Sequence, residues 1–200
     1  MGTTGESATL GSQEKKDVLR FVLSNNPKKL PVVYGIGGNN TREVVDAVKS
    51  TDFTGVDALL SVSPYYNKPS QEGIYQHFKT VADASPVPVI LYNVPGRTAS
   101  NLTAETTLRL AAHKNIFAIK EASGNVEQCM KIANAMPKDF LLISGDDLLT
   151  VPLYSIGAKG VISVLANAYP VVFKKMKEYA FAGNFVKASQ EQFKLLDING

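Results

Sequence analysis

The stretch 87–120, VPVILYNVPGRTASNLTAETTLRLAAHKNIFAIK, decides the fold. It opens with an apolar, largely β-branched run (Val87, Val89, Ile90, Leu91), entered through Pro86 and Pro88 and ending on Tyr92. A helical segment is predicted over 103–112, where Thr103 and the following Ala104-Glu105-Thr106 make an incomplete capping box. A second apolar run, Ile116-Phe117-Ala118-Ile119, ends on Lys120. Two short apolar strands joined by a helix read as a parallel βα unit buried on both faces.

The same alternation extends in both directions. Strands are expected over 31–34, 56–62, 140–144 and 160–164. Helices are expected over 41–50, capped by Asn40 or Thr41, and over 71–84, 125–136, 148–155, 169–182 and 184–196. Six strands suit an open doubly wound sheet as well as part of a closed barrel, so the count alone does not choose. The dinucleotide fingerprint is missing, because Gly35-Ile36-Gly37-Gly38-Asn39-Asn40 lacks the third glycine, and no Gly-Lys-Ser/Thr phosphate loop occurs. What the strand ends share is more telling. Thr3-Thr4, Tyr65-Tyr66, Tyr92, Lys120 and Ser144-Gly145-Asp146 each fall where a strand runs out. In a closed parallel barrel those ends converge on one mouth. The expected fold is therefore α/β, one (β/α)8-barrel domain over 1–200, with about six of its strands present.

Composition narrows the function. Charged residues make up 20% and the net charge is +3, too small for a phosphate-tracking surface. Lys15-Lys16, Lys28-Lys29 and Lys174-Lys175 are isolated pairs, so a nucleic-acid partner is not expected. Cys129 is the only cysteine, which excludes an intrachain disulfide and suits a reducing compartment. No membrane-length apolar stretch and no leader pattern occur, and the chain reads as cytoplasmic. His77 and His113 lie in different segments without ligand spacing and are expected on exposed helix faces. No metal and no cofactor are expected.

Lys120 then carries the chemistry. At the end of an apolar strand its amine points into a poorly solvated space, which favours the neutral form. A neutral amine can attack a ketone and form an imine, an electron sink. A lysine there can equally snorkel to water and do nothing. Tyr92 supplies a phenol able to pass the proton that moves during imine formation, or is a core tyrosine bonded to backbone. The turn Gly2-Thr3-Thr4-Gly5-Glu6-Ser7 offers two hydroxyls and backbone N–H groups beside a helix start, either a carboxylate cradle or an ordinary capped turn. Tyr65-Tyr66 is an aromatic loop plug or part of the same mouth.

The segments GTTGES (2–7), SPYYNKPSQEG (63–73), LYNVPGRT (91–98), IKEASGN (119–125), SGDD (144–147) and GVISV (160–164), in this order, closely resemble the dihydrodipicolinate synthase family. That family belongs to the N-acetylneuraminate lyase superfamily of class I aldolase-like barrels, and the resemblance covers essentially the whole chain. It implies that Lys120 forms an imine with pyruvate, and that Thr3, Tyr92 and Tyr66 make a proton relay, Tyr66 reaching in from a neighbouring subunit. It further implies that Thr4 holds the pyruvate carboxylate, that Ile162 presents its backbone carbonyl, and that Arg97 binds the carboxylate of aspartate semialdehyde. A dimer or tetramer is implied too. Sialic acid lyases resemble the chain around Tyr92 and Lys120 but lack an arginine matching Arg97, whose fork suits a small dianionic adduct. Another pyruvate aldolase is the alternative. The family's regulatory lysine pocket is matched in part by Ser7, Asn39, Glu43 and Tyr65, while Ser12 and Lys15 stand where feedback-inhibited members often carry histidines.

The sequence departs from the family at its ends. It starts almost on the motif, at Met1-Gly2-Thr3, and stops in a helical pattern at Asp197-Ile198-Asn199-Gly200, where family members carry further residues on both sides. Six strands do not close an eight-stranded barrel, and open parallel edges favour aggregation. A truncated barrel is expected, and with it a rival reading in which the chain is an inactive remnant of the synthase.

Overall fold

The computed structural model describes residues 2–198, so Met1, Asn199 and Gly200 lie outside the described residues. One sheet organises them. Strands β1 (Val33–Gly35), β2 (Ala58–Val62), β3 (Val89–Asn93), β4 (Ile116–Glu121), β5 (Leu141–Ser144) and β6 (Gly160–Val161) lie side by side in chain order. Every neighbouring pair is parallel. Sequential order with a crossover helix between strands is barrel winding, not the reversing order of a doubly wound sheet. The six strands form a half-barrel.

Helices cover the outer face: α2 (Thr41–Lys49), α3 (Gln71–Ala84), α5 (Ala104–Ala111), α6 (Val126–Ala135), α7 (Thr150–Ser155), α8 (Pro170–Phe181) and α9 (Phe185–Phe193). α1 (Ser12–Ser24) precedes the sheet, and a single turn, α4 (Pro95–Thr98), follows β3. Side-chain caps start five of the outer helices, through Asn40, Ser70, Thr103, Asn125 and Asn184. Each cap accepts a backbone N–H that the helix itself leaves unpaired.

Alternation splits the core in two. Leu59, Val89, Leu91, Ile119 and Leu142 face the helices and pack with Ile74, Phe78, Val81, Leu110 and Ile132. Ala58, Leu60, Ile90, Tyr92 and Ala118 form a separate inner cluster. Strict alternation breaks at one place. Val89 pairs with Ile116 but Ile90 pairs with Ala118, so Phe117 is an extra residue in β4. Ile116 therefore faces the helices, Ala118 faces inward and Ile119 faces the helices again. The shift reverses the face on which the end of β4 presents its side chains.

Several boundaries differ from the sequence reading. Helix α1 was not foreseen: its segment, SQEKKDVLRFVLS, is so charged that only Leu19 is buried. The last strand is two residues rather than 160–164, because residues 165–167 turn into a 3-10 helix. His77 is a correction of substance. It falls on the buried stripe of α3 with Ile74, Phe78 and Val81 and is only 3% exposed, not on an outer face. Its Nδ1 meets Thr41 Oγ1 at 2.9 Å, and burial holds its pKa down to about 4, so the ring is neutral. His113 is partly buried, with Nε2 2.9 Å from Asp83 Oδ1.

Phe78 is fully buried between sheet and helices. Phe78→Ala is expected to lower the unfolding free energy by about 3–5 kcal/mol, read from urea denaturation followed by circular dichroism.

Candidate active site

Lys120 ends the inner row of β4, opposite Tyr92 of β3. The lysine is 8% exposed and its Nζ lies 4.1 Å from the centroid of the Tyr92 ring, over its face. Burial pulls the pKa of the amine from 10.5 down to about 8, while the Asp147 carboxylate works against this fall. That change raises the neutral fraction at pH 7 by about 300-fold over an ordinary lysine. Tyr92 is buried, and its hydroxyl reaches Thr3 Oγ1 at 3.4 Å. The amine thus lies against the face of the Tyr92 ring, while the phenol hydroxyl reaches Thr3.

The backbone around Lys120 is close. A Cβ on Gly145 would stand 2.9 Å from Lys120 Cε, 3.0 Å from its Cγ and 2.8 Å from Ala122 Cβ. The glycine is needed for that approach, since the loop after β5 lies directly on the lysine stem. Asp147 then ties this loop to the next. Its Oδ2 accepts from Val164 N at 3.1 Å and Leu165 N at 2.9 Å, which holds the turn that follows Ile162. Its Oδ1 is buried without a hydrogen-bond partner among the described residues. Ile162 sits at the inner cluster, with its N–H bonded to Ser144 O at 2.9 Å.

An open cavity of about 880 Å³ lies at this mouth, with Thr3, Ser7, Tyr65, Tyr92, Val94 and Arg97 in its wall. Lys120 itself is not in the wall. Arg97 is exposed on α4, a turn started by Pro95 and stopped by Ala99 in the left-handed region. Thr4 is exposed too, and residues 2–9 form linked turns through Gly5 N to Gly2 O and Glu6 N to Thr3 O. This corrects the cradle expected beside a helix start, because α1 begins only at Ser12. Tyr66 is 88% exposed and points away from the chain. It and Lys68 both take positive φ, 73° and 45°, a backbone cost accepted at a loop that holds the ring out in solvent.

The four candidate regulatory residues divide. Ser7 and Tyr65 line the cavity. Asn39 and Glu43 stand at the start of α2, where Glu43 Oε1 accepts from Asn40 Nδ2 at 2.9 Å and Asn39 O accepts from Asn67 Nδ2 at 3.4 Å. Among the described residues no group of three or more His, Cys, Asp or Glu side chains could hold a metal ion, and no helix is long and apolar enough to cross a membrane. Residues that the sequence reading did not single out are Asn93, Glu121, Gln128 and Asp147. The first two could have been found, since each directly follows a candidate catalytic residue at a strand end.

Fold and site together define a class: parallel β/α-barrel chains with a lysine amine buried where the strands end. The chain belongs to the Dihydrodipicolinate synthetase family, whose sequence profile matches residues 1–200. It is 54% identical over 198 residues to the 4-hydroxy-tetrahydrodipicolinate synthase of Cytophaga hutchinsonii, covering 99% of this chain and 67% of that protein. A dihydrodipicolinate synthase from Cyanidioschyzon merolae with lysine bound superposes with a TM-score of 0.94 at 46% identity, over 98% of this chain and 67% of that one. A chloride-inhibited dihydrodipicolinate synthase from Acinetobacter baumannii complexed with pyruvate gives 0.93 at 40%, over 98% and 68%. The chain spans about two thirds of the length of these relatives.

Two outcomes are expected from this geometry. Lys120 has a folded-state pKa of about 8 against 10.5 when free, so the unfolded chain binds more protons between those values and stability rises with pH there. Lys120→Met should therefore stabilise the chain at pH 7 by about 1–3 kcal/mol, a gain that shrinks as pH climbs from about 8 towards 10.5 in urea titrations. Gly145→Ala should push the lysine stem aside and slow labelling of Lys120 by a small amine reagent about 10- to 100-fold, measured by peptide mass spectrometry.

Proposed function

We propose that the chain condenses pyruvate with L-aspartate 4-semialdehyde to give 4-hydroxy-tetrahydrodipicolinate, the reaction for which its relatives are named. The observation that carries this reading is the buried, largely desolvated Lys120 amine lying against Tyr92, whose hydroxyl is in reach of Thr3.

The neutral amine adds to the pyruvate ketone, and loss of one water leaves the protonated imine. Tyr92 protonates the departing hydroxyl, and Thr3 resupplies it from the surface side. The positive imine then draws electrons from the methyl carbon, which gives up a proton to become an enamine. The enamine carbon attacks the semialdehyde carbonyl, forming one carbon–carbon bond, and the resulting alkoxide takes a proton. The substrate's own amine closes the ring on the imine carbon and releases the Lys120 amine. One water is lost overall, and neither metal nor redox cofactor enters the balance.

The remaining roles are those that the resemblance to the family implies. Thr4 and the turn around it hold the pyruvate carboxylate, and Ile162 offers its carbonyl at the inner cluster. Arg97, exposed at the rim, meets the carboxylate of the incoming semialdehyde as a bidentate fork. Tyr66, held outward by its positive φ, serves the relay of a second copy in a self-associated form. The pyruvate complex of the Acinetobacter baumannii relative supports the keto acid, and cytoplasmic function accords with the single free thiol.

Incubation with pyruvate followed by borohydride reduction should add a reduced pyruvyl mass to one peptide, at Lys120. Lys120→Met should abolish the adduct, and Tyr92→Phe should slow its formation about 100-fold or more. An unlabelled chain, beside a full-length relative that labels normally, would refute the assignment and favour the inactive-remnant reading.

A further inference from the structure

Directly behind Tyr92 and Lys120 lies a second row of side chains that the proposed chemistry leaves unused. The pairing that sets Tyr92 against Lys120 also sets Asn93 against Glu121, and β5 continues the row with Ser144. One position earlier on this helix side stand Leu91, Ile119 and Leu142, all apolar. Asn93 and Ser144 are fully buried and Glu121 is 2% exposed. A carboxylate in such a place loses several kcal/mol of hydration unless its lone pairs are filled.

Among the described residues no basic side chain pairs with Glu121. Neutral donors fill it instead. Asn93 Nδ2 lies 3.1 Å from each carboxylate oxygen, Ser123 N donates to Oε1 at 2.7 Å, and Gln128 Nε2 donates to Oε2 at 2.9 Å. The partners are themselves held: Asn93 Oδ1 accepts from Leu102 N, and Asn101 Nδ2 donates to Gln128 Oε1, both at 2.9 Å. On the main chain, Gly145 N donates to Glu121 O at 2.7 Å, the same glycine that lies on the Lys120 stem. One carboxylate therefore gathers the ends of β3 and β4, the first turn of α6 and, through its own carbonyl, the loop after β5.

We infer that Glu121 is a positioning residue for imine formation, its acceptor-only carboxylate clamping the ends of β3 and β4 so that Lys120 and Tyr92 keep their mutual geometry. The inference rests on the Schiff-base reading above. A carboxylate suits this task where an amide does not. All its lone pairs accept, whereas the NH2 of a glutamine would face Ser123 N–H, Gln128 Nε2 or Asn93 Nδ2, donor against donor. The ring and the amine touch nothing of Glu121 directly, so its effect passes through the strand ends.

The test compares Glu121→Gln with the unaltered chain by borohydride trapping at several pyruvate concentrations and pH values, with circular dichroism confirming the fold. The maximal trapping rate should fall about 10- to 100-fold, with half-saturating pyruvate moving less than about threefold. The pH midpoint should stay in place, because position and not charge at the amine has changed. A folded variant with an unchanged maximal rate overturns the inference. So does a midpoint lowered by about one unit or more, which would make Glu121 an electrostatic partner of the amine. Should the glutamine variant fail to fold, Gln128→Ala removes a single donor from the helix side. A smaller loss of the same kind is then expected, and an unchanged rate overturns the inference. If the unaltered chain forms no adduct, the Schiff-base reading itself falls, and the positioning role with it.

Discussion

Everything at the mouth depends on which face of β4 carries residue 120. Strand side chains alternate strictly, so a single extra residue exchanges the two faces of all that follows. Ile116 is packed under the helices, and an unbroken β4 would place Ala118 and Lys120 there as well. The register shift at Phe117 sends them inward, beside Tyr92. The same shift turns Glu121 outward, into the row it shares with Asn93 and Ser144. Amine and carboxylate are neighbours in sequence, yet they lie on opposite faces of one sheet.

Both placements run against simple burial. An amine and a carboxylate each lose hydration in the interior, and the two groups are handled differently. Glu121 keeps its place through neutral donors on every side. For Lys120 no hydrogen bond among the described residues holds the Nζ, and its pKa falls to about 8 instead. Asp147 keeps that fall moderate, and its other task is to fasten the loops after β5 and β6. The balance leaves an amine that is neutral far more often at pH 7 than an exposed lysine. His77 shows the same physics, since its buried ring stays neutral against Thr41.

Much of the fold was legible in the residues. Short apolar runs separated by capped helical segments gave βα units, and the chemistry-bearing residues at the strand ends pointed to a barrel mouth. The helix caps at Asn40, Thr103 and Asn125 stand where the pattern put them. What failed to show has local reasons. α1 carries Glu14, Lys15, Lys16, Asp17 and Arg20, and of its apolar residues only Leu19 is buried. The 160–164 run is β-branched enough to read as a longer strand, but Asp147, far away in sequence, captures the N–H groups of Val164 and Leu165 and turns the chain. His77 was misplaced because a polar residue on a stripe reads as exposed, although its spacing from Ile74, Phe78 and Val81 is that of the buried face.

The sequence by itself determined the parallel crossover units, since short apolar strands alternating with capped helices pack that way, and it determined which residue types end each strand. Only the tertiary structure decided which face those residues take. In Ile-Phe-Ala-Ile every position is apolar, so no polarity pattern records the parity of β4, and the extra residue appears only when Val89 and Ile90 choose their partners. The lowered pKa of Lys120 and the filled carboxylate of Glu121 follow from that choice, because hydration and donors are properties of a residue's surroundings rather than of its neighbours in the chain.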